Sequence, residues 1–81
     1  MTAKVLLLND NTTTMEFVVQ VLEEVFGKTR EEALRLVLEI HRDGSGVCGQ
    51  YTPEQALDLA RTVKERARRN QHPLRCVVEP D

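Results

Sequence analysis

"KVLLLNDNTTTMEFV", Lys4 to Val18, changes its hydrophobic period halfway along, and that change decides the fold. Lys4 to Leu8 is a short apolar run of the kind that fills a strand. From Met15 the apolar positions recur at helical spacing: Met15, Val18, Val21, Leu22 and Val25 form a broad stripe. Between the two stand Asn9, Asp10, Asn11 and the threonines Thr12, Thr13 and Thr14. Asn and Asp reverse a chain by hydrogen-bonding their own backbone, so the simplest reading is strand, turn, helix. Amide and carboxylate groups placed side by side are also a candidate binding site.

Working outward, the same helix-start device recurs. Thr13 is followed at the third position by Glu16, Thr29 by Glu32 and Thr52 by Gln55, each a capping box that satisfies free N–H groups of a first turn. Pro53 falls at a first helical position, where its missing N–H is harmless. The first helix is predicted to reach about Phe26 and stop at Gly27. The second runs from about Arg30 to Arg42 and ends near Gly44. Its apolar residues Ala33, Leu34, Leu36, Val37, Leu38 and Ile40 cover more than half its circumference, which predicts packing on two sides. The third spans Pro53 to Arg69 and buries Ala56, Leu59, Ala60, Val63 and Ala67. Gly46 to Tyr51 and Arg75 to Glu79 read as strands. The order β-α-α-β-α-β predicts an α+β fold: a three-stranded, mostly antiparallel sheet with three helices on one face.

At 81 residues the chain is expected to form a single domain, residues 1–81, with one small core. With 11 basic and 13 acidic residues its formal charge is -2, which argues against a nucleic-acid or membrane-surface binder that works by bulk charge. Two cysteines, Cys48 and Cys76, are too few for a disulfide scaffold and read as reduced, buried thiols. With no signal-peptide pattern and no run approaching the ~20 apolar residues of a membrane span, the expected compartment is the cytosol. No pair of Cys or His has zinc-site spacing, and no cofactor is expected.

If the first two helices form an antiparallel hairpin across Gly27 to Thr29, the second ends where the first begins. His41 then lies beside Asn9, Asp10 and Asn11.

Three motifs in order now resemble one family, the ClpS adaptors of Clp proteases, which recognise N-degrons. "LLNDNTTTMEFV" is similar to its Asn-Asp-Asp-x-Thr-Pro-Met-Glu-Phe-Val stretch, "IHRDGSGVCGQYT" to its His-x-x-Gly-x-Gly-Val-Cys-Gly stretch and "NQHPLRCVVE" to its His-Pro-Leu-x-Cys close. The resemblance runs from Val5 to Glu79. It implies a non-enzymatic adaptor that binds the free N-terminal amino group and the bulky hydrophobic first residue (Phe, Tyr, Trp or Leu) of substrate proteins. It would deliver them to the N-terminal domain of a Clp-family AAA+ unfoldase. By the same resemblance Asn9, Asp10, Asn11 and His41 hold the amino group, while Thr13, Met15, Val18, Val21, Val37, Ile40 and Leu74 wall the side-chain pocket. Glu54, at the start of the third helix, contacts the unfoldase. Asn11 stands where the family carries a second acidic residue, and Val37 where many members carry methionine. With Thr12 and Thr14 these departures imply a divergent, second-copy-like member with its own ranking of first residues.

Elementary chemistry leads to the same site. An α-ammonium presents three N–H donors, and an amide oxygen, a carboxylate and a neutral imidazole nitrogen are acceptors suited to surround it. Two other readings compete. A Cys-His hydrolase could be built from His41 and Cys48, but "GVCG" reads as a strand, which gives a thiol no activation. A small nucleic-acid-binding domain could use the basic end of the third helix, Arg61, Lys64, Arg66, Arg68 and Arg69. That cluster holds no aromatic residue, and cations in last turns are what a helix dipole favours.

Overall fold

A computed structural model describes residues 1–81. Its elements are β1 (Ala3–Leu8), α1 (Met15–Glu24), α2 (Arg30–Asp43), β2 (Ser45–Tyr51), α3 (Pro53–Arg69) and β3 (Arg75–Pro80). The strands form one sheet in the order β2-β1-β3, and both pairings are antiparallel. β1 is therefore the central strand. Its side chains alternate: Ala3, Val5 and Leu7 are buried beneath the helices, whereas Lys4, Leu6 and Leu8 on the other face are half-buried.

One core links the sheet to all three helices, with Leu7, Val21, Leu22, Ala33, Cys48 and Val63 among its most buried members. At ~1.5–3 kcal/mol for each large aliphatic side chain taken out of water, such a layer is what holds a chain of this size together. A smaller cluster of Ala3, Val5 and Ala56 closes the other end.

Two sequence expectations need correction. The first helix is capped by Thr14, whose hydroxyl accepts from the N–H of Phe17 at 3.1 Å. Thr13 is instead drawn back toward Asp10. Three threonines in a row made the cap ambiguous, and the turn at Asp10 resolved it one residue later. The boxes at Thr29 and Thr52 form as expected.

The second concerns α2, which packs against both α1 and β2 as expected, with Leu36 against the core, but leaves part of its apolar surface uncovered. Ala33, Val37 and Ile40 are buried, while Leu34 and Leu38 are 41 % and 63 % exposed. None of the other five elements covers that strip.

Two helix ends place the functional loops. α2 ends at Gly44, whose φ of 89° lies in the left-handed region, and its N–H returns to the carbonyl of Ile40 at 2.9 Å. α3 ends on a Schellman-type turn in which Gln71 donates to Arg68 and His72 to Ala67. Gln71 takes the left-handed position there, with φ 60°. That turn swings His72 back over α1, where its ring lies 4.4 Å from the ring of Phe17.

Candidate functional site

The site begins where β1 runs out. Leu8 pairs with Ser45, and the ladder continues one rung further: the backbone N–H of Asn9 donates to the carbonyl of Gly44 at 2.9 Å. Gly44 is the C-cap of α2, so this bond ties the polar cluster to the end of the helix that carries Ile40 and His41.

Asp10 organises the next three residues. One of its oxygens, Oδ1, accepts from the backbone N–H groups of Thr12 (2.8 Å) and Thr13 (2.6 Å), and Oδ2 accepts from the hydroxyl of Thr13 at 2.7 Å. Burial works against the charged form of Asp10. The Thr13 backbone and side-chain bonds, the Thr12 bond and the charge of His72 outweigh it and hold the carboxyl below its ordinary value. A carboxylate has about four acceptor positions. Three are used within the turn, so Asp10 supplies negative charge and at most one direct bond to a ligand.

Asn9, Asn11 and His41 are different. All three are exposed, and no hydrogen bond within the protein engages their side chains. Their acceptor groups are available to a ligand.

Asn9, Asp10, Asn11, Thr13, Met15, Val18, Val37, Ile40 and His41 together line one cavity of about 290 Å³. Polar groups from the β1–α1 turn and His41 occupy its rim, and the buried side chains of Val18, Val37 and Ile40 form its wall. Met15, 55 % exposed, stands at the mouth. Two remaining sequence candidates lie elsewhere. Val21 is fully buried in the core, and Leu74 lines a hollow between α3 and β3 with Leu57, Ala60 and Val77. That hollow and another along α1 and α2 are larger, at about 580 and 420 Å³; the first has no carboxylate, amide or imidazole in its lining, and the second has Glu16, Gln20 and Glu23, of which Glu23 is paired with Arg30, but no imidazole.

Sequence reasoning missed His72 as a neighbour of the site. The available signal was its place in "NQHPL", just after a helix end. Cys48 is 1 % exposed, and burial, followed by the proximity of Cys76, pushes its thiol up to about 12. Burial pushes Cys76 up to about 11. Neither sulfur has the character of a nucleophile at neutral pH. No three His, Cys, Asp or Glu side chains are grouped as metal ligands.

The basic end of α3 is divided. Arg61 pairs with Asp58 at 3.3 Å, and Arg66 pairs with Glu24 of α1. Glu54 is exposed in the first turn of α3, and no helix is long and apolar enough to cross a membrane.

Comparison with known proteins bears directly on this geometry. Residues 1–77 match the family model described as ATP-dependent Clp protease adaptor protein ClpS. A protein of Phenylobacterium zucineum named ATP-dependent Clp protease adapter protein ClpS is 55 % identical over 78 residues, 96 % of this chain and 72 % of that one. One of the same name from Caulobacter vibrioides is 54 % identical, with the same shares covered. Among solved structures, Agrobacterium tumefaciens ClpS2 bound to L-phenylalaninamide superposes with a TM-score of 0.96 at 32 % identity, covering 99 % of this chain and 96 % of that one.

Proposed function

The chain belongs to the ClpS family of ATP-dependent Clp protease adaptor proteins, and on that premise we propose how it recognises its cargo. It binds the free α-amino group of a substrate protein at the rim formed by Asn9, Asn11 and His41, with the charge of Asp10 behind them. The first side chain of the substrate enters the apolar wall of Val18, Val37 and Ile40, with Met15 and Thr13 at the entrance.

The observation that carries this reading is that the free acceptors and the apolar wall share one cavity. L-Phenylalaninamide, the ligand of the ClpS2 structure, is an α-ammonium beside a benzyl side chain and suits both halves. A cavity of about 290 Å³ has room for one side chain rather than a folded segment. A charged first residue would be desolvated against Val18, Val37 and Ile40 with no partner, and an acetylated terminus would bring no ammonium.

In this reading the protein presents cargo and performs no chemistry itself, in keeping with thiols held protonated by burial. Delivery is to the N-terminal domain of a Clp AAA+ unfoldase in the cytosol, through a surface around exposed Glu54. Val21 and Leu74 act from behind the wall rather than on it.

Amide NMR mapping tests the placement. Titration with L-phenylalaninamide should shift signals of residues 9–13, 15, 18, 37, 40 and 41 and leave those near Glu54 unmoved. Shifts confined to the α3–β3 hollow would overturn it.

A further inference from the structure

Behind the wall of the side-chain cavity, on β2, lies a glycine that is not part of the cavity lining. Gly46 lies on the helix-facing side of β2, directly opposite buried Leu7 of β1. It packs beneath the last turns of α2. A Cβ at this position would fall 2.7 Å from Cγ1 of Ile40 and 3.2 Å from Cδ1 of Leu36. The first separation is well inside van der Waals contact, and Cγ1 is close to the helix backbone rather than at the free end of a long side chain.

We propose that Gly46 is a specificity-setting positioning residue: its missing side chain lets Ile40 sit back against β2 and so keeps the cavity deep enough for a large aromatic first residue. Ile40 belongs to the cavity wall and also to the packed core that includes Val18, Leu22 and Val37. A side chain on residue 46 pushes Ile40 away from the sheet. Packed neighbours resist it on the core side, and the only yielding direction is the open cavity. The cavity then loses floor space while its rim, set by Asn9, Gly44 and His41, stays in place. The effect differs from simple destabilisation because it depends on ligand size. A Trp side chain must reach the floor, whereas Leu fills less of the depth.

This inference rests on the proposed reading of the site, and the test separates the two. Peptides identical except for Leu, Phe or Trp at the first position are titrated by fluorescence anisotropy against wild type, Gly46→Ala and Gly46→Ala/Ile40→Val. Wild type that binds none of them removes the reading of the site itself. If wild type binds, Gly46→Ala should weaken the Trp-first peptide about tenfold more than the Leu-first one. Adding Ile40→Val trims residue 40 by its Cδ1 methyl, which returns volume to the wall, and should restore the Trp-to-Leu ratio to within about twofold of wild type. Should Gly46→Ala fail to fold, Ile40→Val alone gives the opposite sign, raising Trp relative to Leu. A folded Gly46→Ala with an unchanged ratio, or an Ile40→Val without a shift, overturns the proposal.

Discussion

Asn9 and Gly44 are joined by a single backbone hydrogen bond of 2.9 Å, and that bond fastens the polar turn after β1 to the end of α2. Gly44 can donate to Ile40 and accept from Asn9 at once because it holds φ 89°, a conformation other residues reach only at an energetic cost. A Cβ at Gly44 would meet nothing within 4 Å, so substitution tests backbone strain alone. Gly44→Ala should lower stability by about 1–2 kcal/mol, read as a shift in the urea midpoint at unchanged slope. No change in midpoint would mean that the turn relaxes freely and does not fix the rim.

Asp10 gives an acid dependence whose sign is fixed. Its folded value lies below the ordinary 3.8, so its stabilising contribution is complete above that pH and is lost as the pH falls through the depressed value. The stability difference between wild type and Asp10→Asn should therefore be constant from pH 7 to about 5 and shrink below about 4. A difference that stays level down to pH 2.5 would show that the Thr12 and Thr13 bonds do not favour the ionised form.

The strands, helices and their order could be read from the sequence because each boundary carries its own chemistry. Thr29 and Thr52 have glutamate or glutamine three residues on, Gly44 ends α2, and Pro53 opens α3. The gathering of His41 with Asn9, Asp10 and Asn11 also followed, since an antiparallel hairpin permits little else. Local pattern could not show which apolar positions of α2 stay uncovered, because Leu34 and Leu38 carry the same apolarity as buried Val37. Nor could it show that Asp10 uses three of its acceptor positions inside the turn, or that Leu74 points toward α3 and β3. Gln71 gave no sign of its left-handed conformation, which is usually taken by Gly or Asn.

His41 predicts a loss of affinity on truncation. Its imidazole is exposed, lines the cavity and has no hydrogen-bond partner within the protein, so it is free to accept from the ligand's ammonium. Loss of a hydrogen bond to a charged group is worth about 1.5–3 kcal/mol, so His41→Ala should bind a Phe-first peptide on the order of ten- to a hundredfold more weakly at pH 7. A folded His41→Ala with wild-type affinity would remove the imidazole from the rim.

The central claim is that one cavity reads a free α-amino group and a bulky apolar side chain together. The most direct measurement is fluorescence anisotropy with a matched set of peptides: Phe-first, Ala-first and Lys-first with free termini, and the Phe-first peptide acetylated. Binding of the free Phe-first peptide alone is the predicted result. Equal affinity for Phe-first and Ala-first peptides, or binding that survives acetylation, would contradict it.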